Sequence, residues 1–134
     1  MTDRDLLGLA KTAAGNAYAP YSGFPVGAAL ECEDGTVFTG CNVENCAYGS
    51  GICAERTAGC KAVSEGFRKF RRIAIYGQGD SYCVPCGACR QVLAEFSYDM
   101  EVLSARGDGR YVSYRLSQLM PQAFLPERLG EKKD

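Results

Sequence analysis

Apolar residues recur through the first part of the chain at the spacing of an amphipathic helix. Thr2 or Asp3 can serve as the N-cap, and the pattern stops before Pro20. An apolar residue at every third or fourth position is typical of a helix with one buried face. The chain therefore begins with a predicted helix, whose apolar positions are Leu6, Leu7, Leu9, Ala10, Ala13, Ala14 and Ala17.

Two short apolar runs follow this helix, from Val26 to Cys32 and from Thr36 to Cys41. The Asp34-Gly35 pair between them favours a tight turn, so the two runs are predicted to form a β-hairpin. Further along the chain, helical and strand patterns alternate. The predicted elements are helices at Cys53 to Glu65 and Gly87 to Ser97, strands at Arg72 to Gly77, Glu101 to Ala105 and Tyr111 to Arg115, and a final helical turn at Leu116 to Met120.

This order of elements predicts an α/β fold with five strands. Alternation of strand and helix in the middle of the chain indicates a parallel pair, whereas the opening hairpin indicates an antiparallel edge. We therefore expect a mixed sheet covered by helices. The 134 residues suit a single domain over residues 1–134, and the mostly charged segment 127–134 is expected to be a frayed tail.

The amino-acid composition limits the kinds of active site and partner that the chain can have. The chain has eight cysteines and no histidine, which excludes serine triads and metal sites that need an imidazole. The net charge is -1 and the sequence pI is about 5.5. Nucleic-acid-binding domains usually carry a basic stripe, so no nucleic acid polymer is expected as a partner.

The amino-terminal segment mixes charged residues into its apolar pattern, so it predicts neither a secretory signal nor a membrane span. We expect a cytoplasmic protein, and in a reducing compartment metal binding or plain burial explains cysteines better than disulfides. The cysteines expected to be small buried hydrophobic residues are Cys32, Cys41, Cys46 and Cys60. The basic run Arg68, Lys69, Arg71 and Arg72 is expected to be a solvated turn between a helix and a strand.

Cys86 and Cys89 flank Gly87-Ala88 where a helix is predicted to begin. One helical turn points both thiols the same way, and a helix amino terminus favours the thiolate that zinc binds. Taken alone, this C-x-x-C spacing fits a redox pair, half of a structural zinc site and a catalytic site equally well.

Cys53 and Glu55 lie at the start of the preceding helix. Cys53 can add a third thiolate to those of Cys86 and Cys89. Three thiolates would leave the fourth tetrahedral position of a zinc ion for water, which is typical of a catalytic site. Cys83 is the nearest candidate for a fourth ligand that would close the site instead, but it lies before Pro85, on the strand side of the predicted turn. Glu55 is close to the metal in this arrangement without having to bind it.

The pairing of Cys53-Ala54-Glu55 with Pro85-Cys86-Gly87-Ala88-Cys89 resembles the signature of zinc-dependent deaminases. The resemblance extends over nearly the whole chain and is to the small cytidine deaminases that act on free nucleosides. Further segments that carry it are Ala19-Pro20-Tyr21-Ser22, Phe24, Val26-Gly27-Ala28-Ala29, Gly40-Cys41-Asn42-Val43-Glu44-Asn45 and Cys86-Gly87-Ala88-Cys89-Arg90-Gln91.

This resemblance implies a three-layer α/β/α sandwich with a five-stranded mixed sheet, one zinc ion per chain and a homotetramer. It implies zinc ligation by Cys53, Cys86 and Cys89, with Arg56 donating to the thiolates. Glu55 would act as the proton shuttle while a zinc-activated water attacks the ring carbon that carries the amino group. The products would be uridine or deoxyuridine and ammonia, as in pyrimidine salvage.

The resemblance also implies the residues that bind the nucleoside. Asn42 and Glu44 would hold the ribose hydroxyls, because an amide and a carboxylate together satisfy a group that both donates and accepts. Phe24 would stack near the base, and the unpaired backbone amides of Cys53 and Ala54 would bind the pyrimidine carbonyl oxygen. Tyr48 and Phe124 resemble residues that reach the site across subunit boundaries.

Other interpretations of the same residues remain open. By residue type alone, Phe24 and Phe124 fit a plain core, Asn42 a turn and Glu44 a solvated charge. The alternative functions are a deaminase of a blasticidin-type nucleoside antibiotic, a polynucleotide-editing deaminase and a zinc-binding module without enzymatic activity. A non-enzymatic module would need a fourth protein ligand, and an editing enzyme would need a basic groove.

Overall fold

The computed structural model describes residues 1–130. The helices are α1 (Asp3–Ala14), α2 (Ala54–Ser64), α3 (Gly87–Phe96) and α4 (Leu116–Leu119), the strands are β1 (Val26–Cys32), β2 (Val37–Cys41), β3 (Phe70–Gly77), β4 (Glu101–Ala105) and β5 (Tyr111–Arg115), and 3-10 turns span Tyr48–Ser50 and Pro126–Leu129. Of the predicted tail, residues 127–129 belong to the last of these turns, and residues 131–134 lie outside the described residues. The longest described helix has 12 residues, and no helix in residues 1–130 could cross a membrane.

The start of α1 follows from its sequence. The Thr2 hydroxyl accepts a hydrogen bond from the Asp5 N–H, and the Asp5 carboxylate accepts one from the Thr2 N–H, which completes a capping box. The helix ends at Ala14, three residues before the apolar pattern does. After the helix the chain turns, and the Tyr18 N–H donates to the Asn42 carbonyl oxygen beside the sheet.

The five strands form one sheet in the order β2-β1-β3-β4-β5. β1 pairs antiparallel with both β2 and β3, β3 pairs parallel with β4, and β4 pairs antiparallel with β5. The hairpin between β1 and β2 turns through Gly35, whose φ of 93° lies in the region that favours glycine. The predicted mixed sheet is confirmed. Its one parallel pair, β3 with β4, lies where strand and helix alternate in the middle of the chain.

Alternate residues of the strands point to opposite faces of the sheet, and each face has its own core. On one face, Leu6 and Ala10 of α1 pack with Leu103 of β4. On the other face, Ala58 of α2 and Leu93 of α3 pack in a core that also holds Ile73, Ile75, Val102 and Leu116. The resulting three layers, helix, sheet and helices, confirm the predicted α/β/α sandwich.

Two glycines allow the helices to lie very close to the sheet. A Cβ atom on Gly27 would lie 1.9 Å from the Ala10 carbonyl oxygen, and one on Gly40 would lie 2.6 Å from the Ala54 carbonyl oxygen. Real Cβ atoms do not approach backbone this closely, so only glycine fits at either position. The contact at Gly40 holds the first turn of α2 against β2, and this turn carries Glu55.

The expectation that four cysteines are buried hydrophobic residues is wrong for two of them. Cys32 is buried and Cys41 is partly buried, whereas Cys46 and Cys60 are exposed. Cys60 lies on α2, on the side away from the sheet, while Cys46 lies in the irregular segment after β2. Residue type alone does not determine which side of a helix or loop faces the core.

The expectation that the basic run is a solvated turn is wrong for Arg71, which lies in β3 although it is exposed, and more so for Arg72. Its side chain is only 11% exposed, and its Nε lies 2.7 Å from a carboxylate oxygen of Glu31, which is itself 4% exposed. The Arg72 guanidinium also contacts Asp3 and donates to the Met1 carbonyl oxygen. Arg72 therefore ties the start of α1 to β1 and β3, and it gives the buried Glu31 carboxylate a hydrogen-bonded partner, without which burial of that group would be costly.

Candidate active site

A cavity of about 460 Å³ opens where α2 and α3 begin. One wall consists of the first residues of α2 and the segment just before α3, and the opposite wall consists of loop residues near β1 and after β2. The lining residues are Ser22, Phe24, Val26, Asn42, Val43, Glu44, Tyr48, Gly51, Ile52, Cys53, Ala54, Glu55, Arg56, Cys83, Val84 and Cys86.

The structure brings together the three thiols that the sequence singled out. Cys53 is the N-cap of α2, Cys86 is the N-cap of α3, and Cys89 lies in the first turn of α3. Their sulfur atoms all lie within 4.8 Å of one another, and those of Cys53 and Cys86 are 3.7 Å apart. A disulfide needs a bond of about 2.05 Å, so these thiols are free.

The thiol environments differ. Burial opposes ionisation of Cys86, but the hydrogen bond that its sulfur accepts from the Cys89 N–H and its contacts with the other two thiols lower its pKa below the ordinary value. Burial raises the pKa of Cys89, as does the charge of Glu55, and burial also raises the pKa of Cys53. A bound cation would stabilise all three as thiolates, with two helix amino termini adding their positive ends.

The thiol cluster fits zinc. Zinc with Zn–S distances of about 2.3 Å in tetrahedral geometry separates two sulfurs by about 3.8 Å, close to the distance between Cys53 and Cys86. Among residues 1–130 no other group of three potential ligands lies this close together. Cys83 lines the cavity outside the cluster, and its pKa is raised to about 11 by burial and by the charges of Glu55 and Cys53. The cluster could therefore hold one zinc ion with three protein ligands.

Glu55 lies beside the thiols with only 4% of its surface exposed. Burial raises the pKa of its carboxyl group above the ordinary range. Cys53, the N-cap of α2, makes no side-chain hydrogen bond to the first N–H groups of the helix. The first turn of α2 thus presents a buried carboxyl group and backbone donors to the same cavity.

Arg56 faces the sulfurs from the same helix. Its Nη2 lies 4.0 Å from the Cys53 sulfur, the long limit for a hydrogen bond to sulfur, and it also interacts with Cys89. Its Nε is buried and has no hydrogen-bond partner among residues 1–130. The guanidinium supplies positive charge next to three groups that become negative when zinc binds.

The opposite wall carries the predicted nucleoside-binding residues. The Asn42 side chain accepts from the Val26 N–H and donates to the Phe24 carbonyl oxygen. The Phe24 ring is 41% exposed and packs against Gly77, where an added Cβ would lie 3.0 Å from the ring. Glu44 is partly buried, and its carboxylate is bound by the segment at Tyr21 and Ser22.

The two aromatic residues that the family resemblance assigned to subunit boundaries lie in different places. Tyr48 lines the cavity, is 81% exposed and makes an edge contact with Tyr21 at 5.9 Å between ring centroids. Phe124 is 60% exposed and does not line the cavity of its own chain. Its carbonyl oxygen accepts a hydrogen bond from Gln91 of α3.

Two residues quoted for the family resemblance received no role from the sequence and have one in the structure. Ser22 lines the cavity and binds the Glu44 carboxylate. Arg90 donates to the carbonyl oxygens of Pro85 and Leu119, each at 2.7 Å, and so holds the segment before Cys86 against α4. Their presence in the motifs was the only sequence signal, because Glu44 and Leu119 are distant in the chain from Ser22 and Arg90.

The fold and the thiol cluster define a class: an α/β/α domain with three cysteines at two helix amino termini that could hold one zinc ion. The cytidine and deoxycytidylate deaminase zinc-binding region matches residues 1–105. A cytidine deaminase from Sporosarcina psychrophila is 48% identical over 126 residues, 93% of each chain.

Solved structures agree with this match. The crystal structure of cytidine deaminase from Burkholderia pseudomallei superposes with a TM-score of 0.90 and 46% identity, covering 92% of this chain and 100% of the other. That of cytidine deaminase from Mycobacterium tuberculosis has a TM-score of 0.79 and 42% identity, covering 92% and 98%. The chain belongs to the cytidine and deoxycytidylate deaminase family.

Proposed function

We propose that this chain catalyses the hydrolytic deamination of cytidine and deoxycytidine to uridine and deoxyuridine, with release of ammonia. The observation that carries the proposal is the buried carboxyl group of Glu55 beside three converging thiols in one cavity, in a chain 48% identical to a cytidine deaminase. It is a zinc-dependent hydrolase.

Cys53, Cys86 and Cys89 are the zinc ligands in this proposal. When bound, zinc supplies Lewis-acid chemistry, which makes a water molecule acidic enough to act as a nucleophile near neutral pH. Arg56 draws electron density from the sulfurs through its hydrogen bonds, which offsets the charge of three thiolates on a divalent ion.

Glu55 moves the protons. Its carboxylate takes one proton from the attacking water and delivers it to the ring nitrogen next to the amino-bearing carbon. Once the carbon–oxygen bond has formed, it takes the proton of the new hydroxyl group and passes it to the amino group, which leaves as ammonia when the carbon–nitrogen bond breaks. Burial suits it to these steps, because a carboxyl group whose pKa is raised toward neutrality exchanges protons in both directions. Water and cytidine are consumed, and uridine and ammonia are formed.

Residues of both walls orient the nucleoside. The Ala54 N–H, at the start of α2, donates to the pyrimidine carbonyl oxygen, and the Phe24 ring packs against the base. Asn42 donates to a sugar hydroxyl and Glu44 accepts from one. These contacts place the amino-bearing carbon over the end of the cavity that holds the thiols.

The assembly is a homotetramer in this proposal, and Tyr48 and Phe124 each reach the site of a neighbouring subunit. Both side chains are largely exposed in the single chain, which supports a covering by another copy. The location is cytoplasmic, where eight free thiols persist without disulfide formation.

The test is turnover by purified protein of measured zinc content, followed by the ultraviolet change on loss of cytidine. Cytidine, deoxycytidine, blasticidin S and a cytidine-containing oligonucleotide are compared. We expect turnover of the two nucleosides with one zinc per chain and a sedimentation mass about four times that of the chain. Preference for blasticidin S would favour an antibiotic deaminase, preference for the oligonucleotide an editing enzyme, and zinc binding without any turnover a non-enzymatic module.

A further inference from the structure

The Glu44 carboxylate accepts three hydrogen bonds from its own chain. One oxygen accepts from the backbone N–H groups of Tyr21 and Ser22, each at 3.0 Å. The other accepts from the Ser22 hydroxyl at 2.5 Å. These hydrogen bonds, that of the Ser22 hydroxyl first, lower the pKa of Glu44. The group is therefore an ionised carboxylate, which can only accept hydrogen bonds.

The remaining hydrogen-bonding capacity on this wall is small. A carboxylate offers about four lone-pair positions, and three of those on Glu44 are occupied within residues 1–130. The Asn42 amide uses its oxygen for the Val26 N–H and one of its two N–H donors for the Phe24 carbonyl. One acceptor position on Glu44 and one donor on Asn42 are left, which is what a single hydroxyl group needs.

The Ser22 hydroxyl determines where that last acceptor position lies. It donates to the Glu44 oxygen that has no backbone partner, and it accepts from the Phe24 N–H at 3.0 Å. It therefore connects the carboxylate that faces the sugar with the backbone that carries the aromatic ring. Both Ser22 and Glu44 also line a second cavity of about 370 Å³.

We infer that Ser22 is a positioning residue for recognition of the sugar: its hydroxyl fixes the Glu44 carboxylate so that one lone pair faces a nucleoside hydroxyl. The inference rests on the proposed function, and in particular on the contact of Glu44 with the sugar. Without this hydroxyl, Glu44 keeps its two backbone donors on one oxygen, but the other oxygen is free to rotate away and to be bound by water. Sugar binding is weakened, and the proton transfers at Glu55 are not.

The test compares Ser22→Ala and Ser22→Thr with the parent protein, on cytidine and on 2′,3′-dideoxycytidine, which lacks both ring hydroxyls. The matched control is Ser113→Ala. Ser113 donates to a carboxylate oxygen of Glu101 at 2.7 Å, the same kind of contact on β5, away from the cavity. Thermal unfolding and zinc content are measured for every variant.

For Ser22→Ala we expect KM for cytidine to rise about 3- to 10-fold, the scale of one partly exposed hydrogen bond to a charged group. We expect kcat to change less than about twofold. A higher KM with a nearly constant kcat means that substrate binding is weakened and the chemical step is not. With dideoxycytidine, kcat/KM should be the same for the variant and the parent, because the hydroxyl that Glu44 accepts from is missing. Ser22→Thr should restore KM, and Ser113→Ala should leave it unchanged.

Three results would overturn the inference. An unchanged KM for cytidine in Ser22→Ala would show that the hydroxyl does not position Glu44. An equal loss with dideoxycytidine would show that Ser22 acts through the base or the loop and not through the sugar. A parent protein that contains zinc but neither binds nor deaminates cytidine would overturn the proposed function, and the role of Ser22 with it.

Discussion

The two walls of the cavity are built in different ways. On the thiol wall, Cys53 and Cys89 lie in or next to the first turns of helices, and Cys89 and Glu55 are 0% and 4% exposed. On the sugar wall, Phe24 and Tyr48 lie in irregular segments and are 41% and 81% exposed. Hydrogen bonds between side chains and backbone hold the sugar wall, whereas helix-on-sheet packing, joined by the two Arg90 hydrogen bonds, holds the thiol wall.

The two walls differ because metal binding with proton transfer needs other surroundings than sugar recognition does. Proton transfer and metal binding need a water-poor environment and fixed distances, which packed regular elements provide. Recognition of a small polar sugar needs adaptable donors and acceptors, which loops provide. We therefore expect substitutions on the thiol wall to abolish zinc binding or chemistry, and substitutions on the sugar wall to change KM.

The largest effect should come from Cys89→Ala. Two thiolates hold zinc much less tightly than three, so we expect loss of the metal, loss of all measurable turnover and a lower unfolding temperature. Atomic absorption, a cytidine turnover assay and a thermal melt measure these three outcomes. Cys60→Ala, an exposed cysteine on α2, is the control and should retain zinc. A fully zinc-loaded Cys89→Ala protein would remove Cys89 from the ligand set.

Glu55→Gln should retain the fold and the zinc but lose turnover. The amide fills the same space and cannot carry a proton, and general acid–base steps contribute about 100- to 10,000-fold each. The measurement is kcat for cytidine at equal zinc content. Glu65→Gln, at the other end of α2, should have a kcat within about twofold of the parent. Turnover near the parental rate in Glu55→Gln would mean that another group transfers the protons.

Arg90→Gln tests whether the thiol wall depends on support from α4. Loss of its two hydrogen bonds, to the Pro85 and Leu119 carbonyls, frees the segment before Cys86, and we expect transfer of zinc to a chelator to become about 10-fold faster. Arg68→Gln is the matched control, because Arg68 also donates to two carbonyl oxygens, those of Val63 and Phe67, outside the cavity. Equal release rates for Arg90→Gln and the parent would limit Arg90 to a role outside metal binding.

The smallest effect should come from Phe124→Ala. If a neighbouring subunit supplies this ring, KM for cytidine should rise about 3- to 10-fold, the scale of an aromatic contact, although Phe124 does not line the cavity of its own chain. Leu129→Ala, a similarly exposed residue nearby, should leave KM unchanged. A parental KM for Phe124→Ala would contradict a site shared between subunits.

Local signals predicted most of the fold. The bounds of β1, β4 and β5 agree with the sequence prediction, and α2 and α3 begin within one residue of their predicted starts. These elements are determined by short-range features: the alternation of apolar residues, the Asp34-Gly35 turn and the break before Pro85. The spacing of Cys86 and Cys89 placed two thiols on one helical turn for the same reason.

The sequence alone thus determined the elements, the mixed sheet and the three residues of the thiol cluster, because local propensity and short motifs encode them. Only the tertiary structure decided that Cys46 and Cys60 are exposed, and that Arg72 is buried against Glu31. It alone also joined Ser22 to Glu44, 22 residues away. Burial and pairing of this kind depend on which distant segments pack together, and no periodicity within one segment carries that information.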